Sequence, residues 1–139
     1  MTATLSALIR AIYNSIFAPA ARTASANGTG LDLADYEGMC VLSLESAAGT
    51  GTAPTLDFKL QESDDNTTFT DVAVASLFSS NNSAAGAFVQ VTGAAASVQS
   101  RTVDASQLKR YVRGVFTIGG TTPSFTCQAS LIGQKKYQS

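Results

Sequence analysis

Apolar and polar side chains alternate from residue 31 onward, whereas the first 17 residues repeat at a longer interval. In Met39–Ser46, "MCVLSLES", Cys40, Leu42 and Leu44 fall on one face of an extended segment. In "TLDFKLQE", Leu56, Phe58 and Leu60 alternate with Asp57, Lys59 and Gln61. Successive side chains of a strand point to opposite faces, so each stretch reads as a half-buried strand. Thr70–Ser76, Ala87–Thr92 and Ser97–Val103 continue the series. Two more strands start at Arg110 and at Ser124, the second aligning Phe125, Cys127, Ala129 and Leu131. Gly, Asn and Pro clusters separate these segments. The pattern predicts an all-β fold, a single antiparallel β-sandwich or jelly roll of about seven or eight strands. Its expected core is Leu42, Leu44, Leu56, Phe58, Leu60, Val112, Phe116, Phe125 and Leu131.

Residues 4–17 follow a different period. Leu5, Ile9, Ile12 and Ile16 recur at spacings of four, three and four, with Leu8 beside them. This predicts a short helix, capped by Thr2 or Thr4 and stopped by Pro19. Such a helix is marginal alone in water, so its stripe must dock. Residues 18–30, "APAARTASANGTG", read as a small-residue linker. The expected organisation is a helix and extended arm over 1–30 and a β-sandwich domain over 31–139. Leu5, Leu8, Ile9, Ile12, Ile16 and Phe17 form the candidate interface, expected to contact other chains. The same stretch is too short to span a bilayer, and Arg10 and Asn14 interrupt it as a signal sequence.

Composition narrows the function more than the fold. Hydrophobic residues make up 45% of the 139-residue chain and charged residues 14%. With Ser, Thr, Gly and Asn supplying much of the rest, the solvent face is hydroxylated rather than charged. The net charge of −1 hides an asymmetry: nine of ten acids lie between Asp32 and Asp71, and six of nine bases between Arg101 and Lys136. Either opposite patches steer head-to-tail contacts, or antiparallel strands bring the halves together and the charges cancel locally.

The chain has no histidine and two cysteines, Cys40 and Cys127. Zinc lacks ligands, and the cysteines read as small core residues, with a bridge open only if their strands are neighbours. The stretch "LDFKLQESDDNTTFTDV", Leu56–Val72, gathers carboxylates and amides. A calcium loop needs a glycine and a distal glutamate that "SDDNTTFTD" lacks. Adjacent Asp64 and Asp65 do not face each other as a catalytic pair, and no serine has a histidine base. Ser, Asp and Asn side chains stabilise turns, so Ser63–Thr68 reads as the turn of a hairpin. No enzyme activity, cofactor or metal is expected.

Three pieces of the chain carry a resemblance: "LDLADYEG" at 31–38, the block Gln61–Val72 with "Q-x-S-D-D", and Val103–Gly114 with "RYVRG". Together they resemble head-associated virion proteins of tailed bacteriophages, over residues 31–133. The hairpin also resembles that of discoidin-like jelly rolls, with Phe69 where those domains prefer Trp. The first resemblance implies an auxiliary, decoration or cement protein on the outer capsid, with the major capsid protein as partner. A homo-oligomer, a trimer by preference, is expected, made in the host cytoplasm and carried in the virion. Neither nucleic acid nor membrane is an expected partner. A carbohydrate- or receptor-binding module of a tail or fibre is the alternative, with Tyr36, Tyr111 and Tyr137 as its candidate aromatics. A head–tail completion or tail-tube protein is a third.

Overall fold

The computed structural model describes residues 11–79 and 86–136. Ten strands follow in order: β1 (Ala11–Arg22), β2 (Ala26–Asn27), β3 (Leu31–Asp32), β4 (Tyr36–Ser46), β5 (Thr50–Ser63), β6 (Thr70–Asp71), β7 (Phe78–Ser79), β8 (Val91–Thr92), β9 (Ser97–Asp104) and β10 (Tyr111–Lys135). Two 3₁₀ turns, Val74–Ser76 and Ala105–Gln107, interrupt them. The strands form one sheet that curls on itself around β10, and every pairing is antiparallel. Residues 111–124 of β10 pair with β5, and residues 127–135 pair with β4. The back half is thus β2 and β3, β10, β5, then β6 and β8. The front half is β1, β10, β4, β9 and β7.

β10 unites the two strands expected at Arg110 and Ser124. The stretch "GGTTPS" between them is a bend, not a reversal. Register shifts fall at Gly119/Thr121 and Thr121/Ser124 of the β10–β5 ladder. Gly120 sits at φ +109° opposite a matching irregularity in β5, where Gly51 has φ +105°. A Cβ on Gly51 would lie 2.5 Å from the Thr122 carbonyl oxygen, and one on Gly120 2.7 Å from that of Ala53. Only glycine allows both the left-handed φ and this approach.

The N-terminal segment departs most from expectation. Residues 11–22 are a strand, not a helix, and Leu5, Leu8 and Ile9 lie outside the described residues. β1, β2 and β3 run antiparallel along β10, from the Ala11–Gln134 pair to the Asp32–Tyr111 pair. Two irregularities, at Ser15/Phe17 and Phe17/Ala20, disturb the alternation of β1. A bulge sets two residues against one, so the consecutive Ile16 and Phe17 both turn inward and are buried. Pro19, read as a helix stop, falls within the second irregularity of this edge strand, where a missing N–H is tolerated.

All nine expected core residues are buried, in one cluster with Ile16, Phe17, Val103 and Cys127. The Phe17 ring of the front half stacks on Phe116 of the back half at 4.1 Å between centroids, and Phe58 tilts against Phe116 at 5.3 Å. Cys40 and Cys127 are buried free thiols. Cys127 lies opposite Ser46, six residues along β4 from Cys40. At about 3.3 Å per residue that is roughly 20 Å, far beyond disulfide reach.

Phe17 therefore belongs to the chain's own core. Phe17→Ala should lower unfolding stability by about 3–5 kcal/mol in denaturant titration. Gly114→Ala should cost about 1–3 kcal/mol by overpacking, because its Cβ would lie 2.7 Å from both Ile16 Cγ2 and Phe58 Cε2. An unchanged midpoint for Phe17→Ala would place the segment outside the cooperative fold.

Candidate functional site

The outer face of the front half holds the most distinctive surface among the described residues. Leu42, Leu44 and Leu131 point inward, so Val41, Ser43 and Ile132 point outward. Register places Tyr13 of β1 opposite Ile132, Ile132 opposite Val41, Val41 opposite Thr102, and Thr102 opposite Phe78. The result is one row across all five strands. Tyr13 is 59% exposed, Ile132 41%, Val41 38% and Phe78 37%. Opposite residues on one sheet face stand about 4.5–5.5 Å apart at Cβ, so these side chains form a continuous band.

Beside it runs a row of hydroxyls: Ser15, Ser130, Ser43 and Ser100. Ser43 and Ser130 share a hydrogen bond of 2.6 Å between their Oγ atoms. The next row is Gln128, Glu45 and the exposed Val98, with Gln128 donating to Glu45 at 3.1 Å. On the other side stands the exposed Met39 opposite Asp104. Carboxylates occur only at these margins, so the two central rows are uncharged.

Of the candidate interface, Leu5, Leu8 and Ile9 lie outside the described residues. Ile12 is half-buried and Ile16 and Phe17 are buried in the chain's own core. The three are thus brought together, but inside the molecule. Among the candidate aromatics, Tyr36 is buried and its hydroxyl accepts from Asn14 Nδ2, while Tyr111 carries the Arg110 guanidinium at 5.2 Å from its ring. Tyr137 lies outside the described residues. Sequence reasoning missed the outer row because it tracked only the inward phase. The available signal was Val41 and Ile132, β-branched residues standing where a solvated strand face is usually polar.

The acidic stretch is a turn, as expected. Asp65 Oδ1 accepts from the backbone N–H of Thr67 and of Thr68, each at 2.9 Å, and from Ser63 Oγ at 2.8 Å. The Thr68 and Thr67 amides, then the Ser63 hydroxyl, hold the Asp65 carboxyl down at about 2. Asp64 faces Lys109 at 3.5 Å, which ties the turn to the β9–β10 connection. Among the described residues no three His, Cys, Asp or Glu side chains gather as a metal would require.

The family described as Bbp16 matches residues 19–129. The chain belongs to the Bbp16 family. The matched span contains Val41, Ser43, Ser100, Thr102 and Phe78 of the outer face, and leaves Tyr13 and Ile132 beyond its ends. No curated protein matches the sequence. Among solved structures, the SPBc2 prophage-derived protein YomS is similar at 15% identity and a TM-score of 0.50, covering 88% of this chain and 95% of that one. The PBSX exported protein XepA is similar at 19% identity and a TM-score of 0.56, covering 92% of this chain and 39% of XepA. The chain thus spans about two-fifths of XepA. A chain of infectious bursal disease virus, Gx strain, is similar at 10% identity and a TM-score of 0.55, covering 88% of this chain and 31% of that one. At such identities the likeness is one of fold.

The Asp65 turn gives this Bbp16-family chain a pH-dependent hairpin. A folded carboxyl held below its ordinary value contributes stability that is present above that value and lost as pH falls through about 2. Carboxyl NMR should find Asp65 titrating near 2, and Ser63→Ala should raise that value. Titration of Asp65 at an ordinary carboxylate value would show that these turn contacts do not form in solution.

Proposed function

We propose that this chain is a structural protein of a bacteriophage particle, an auxiliary protein that decorates the head by binding the major capsid protein. The observation that carries this reading is the uncharged outer face of the front half, a band of Tyr13, Ile132, Val41, Thr102 and Phe78 beside a band of serines. Exposed apolar side chains in one continuous group mark an interaction surface, whereas scattered ones do not. The shared fold of prophage-derived YomS and the phage-head resemblance of the 31–38, 61–72 and 103–114 blocks support the same direction.

The mechanism is binding linkage. A protein that binds only the assembled shell stabilises that shell in proportion to how far its concentration exceeds the dissociation constant. Sheet faces suit this role, since strands hold their side chains in a fixed array. Charges confined to the margins set orientation, while the neutral centre loses little on desolvation. A homo-oligomer, a trimer by preference, meets the local symmetry points of a shell with several such faces at once.

Heads prepared without this protein provide the test. Added wild-type chain should co-sediment with them and raise their melting temperature. Val41→Asp and Ile132→Asp should fold normally and weaken binding at least about tenfold, since each buries an unpaired charge at the contact. Binding of both variants as tight as wild type would remove the face from the mechanism. Co-sedimentation with tails and not with heads would overturn the decoration reading.

A further inference from the structure

A cleft of about 490 Å³ lies on the opposite side of the front half from the outer row. Ile12 and Asn14 alternate with Tyr13 along β1, and Asn14 stands opposite the inward Leu131, so both face away from that row. Leu31 and Asp32 of β3, Asp35, Tyr36 of β4 and Lys135 of β10 complete the lining. The volume is within the range of about 300–1,000 Å³ usual for small-molecule sites.

The walls are preformed. The Leu33 N–H donates to the Arg110 carbonyl at 2.7 Å, the Tyr36 N–H to that of Leu33 at 2.9 Å, and the Lys136 N–H to that of Asp35 at 2.6 Å. Asp32 accepts two hydrogen bonds from the Arg110 guanidinium and one from the Ala34 N–H. Gly133 pairs with Ile12, and a Cβ on it would lie 2.5 Å from Tyr36 Cδ1. Its bare Cα lets the Tyr36 ring lie against β10, where the hydroxyl meets Asn14.

Charge and hydrogen-bonding capacity together select the ligand. Asp32 carries Arg110, and Asp35 and Lys135 add one charge of each sign, so the cleft favours neither an anion nor a cation. Asn14 gives an N–H to the Tyr36 oxygen, which leaves the Asn14 carbonyl to accept and the Tyr36 O–H to donate. Burial pushes the Tyr36 phenol up, so it keeps that proton at ordinary pH. A hydroxyl both donates and accepts, and therefore suits this mixed set. Ile12 and Leu31 supply apolar wall beside it.

We propose that the cleft between β1, β3 and β4 binds one neutral sugar residue. Asn14 and Asp35 accept from its hydroxyls, Tyr36 donates to one, and Ile12 and Leu31 pack on its C–H face. The inference stands apart from the capsid reading, since a filled cleft leaves the outer row free.

Amide NMR of the intact chain, titrated with free glucose, galactose, N-acetylglucosamine and rhamnose, tests the site. At least one sugar should shift the Asn14, Asp35 and Lys135 resonances saturably, with a Kd in about the millimolar range. Tyr36→Phe keeps the ring and removes the hydroxyl, whereas Asp35→Ala removes the carboxylate. Each should weaken binding of that sugar about tenfold. No saturable shift with any of these sugars would overturn the proposal. Binding of N-acetyl-lysine amide or acetate in their place would also overturn it, because the cleft would then select charge. Shifts unchanged by both substitutions would put the sugar elsewhere and remove the cleft from the argument. Should Tyr36→Phe fail to fold, Asp35→Ala decides alone, since Asp35 is exposed.

Discussion

The backbone of β10 is the constraint on which the rest of this fold depends. A strand of 25 residues presents amide and carbonyl groups along both of its edges. Left unpaired in a buried position, each such group costs free energy comparable to a lost hydrogen bond. One edge is satisfied by β5 and then β4, and the other by β1, β2 and β3. The N-terminal segment is therefore the second wall of the central strand. It joins residues near the start of the chain to residues near its end, so the sheet closes only after long loops have been ordered. Non-local pairing of this kind makes for slow folding.

Closure of the curl needs the strands to bend together. The irregularities of β5 around Gly51 and Ala53 stand opposite those of β10 around Gly120 and Thr122, so both strands of the pair turn at the same level. Below the bend, Phe116 and Phe58 line the back half, and beyond it Phe125, Ala129 and Leu131 line the front. Phe17 closes the space between them. The Arg22 guanidinium then lies 4.7 Å from the Phe17 ring and donates to the Ala18 carbonyl at 2.8 Å, which fixes the bulged part of β1 against the stack.

Alternation made most of the sheet legible in the sequence. Every residue assigned to the core from period-two spacing is buried, because a strand with one wet face can satisfy its pattern in one register only. The Asp65 turn was legible for a local reason: its amide and hydroxyl chemistry lies within the six residues Ser63–Thr68. What could not be read was set by irregularity. Bulges at Ile16 and near Pro19 break the alternation of β1, and "GGTTPS" carried turn chemistry inside a continuous strand. Propensity and period describe a residue's neighbours in sequence, whereas these segments are decided by β10, about a hundred residues away for β1. The outer row was hidden for another reason. Its members come from five strands, so the band exists only once the register is set.

The charge asymmetry of the sequence resolves through the same pairing. Antiparallel closure sets Asp32 against Arg110, with two hydrogen bonds at 3.0 and 3.1 Å, and brings Asp64 to Lys109. Lys59 and Asp71 pair at 2.9 Å within the back half. Exposed pairs of this kind each contribute at most about 1 kcal/mol, so they are poor candidates for what holds the fold. Their consequence is positional. With the charges drawn to the turn, the β9–β10 connection and the back half, the central rows of the front half stay neutral. Desolvating a neutral sheet face costs little, and it does so with almost no dependence on salt. A surface of that kind discriminates by shape and hydroxyl placement instead of by charge.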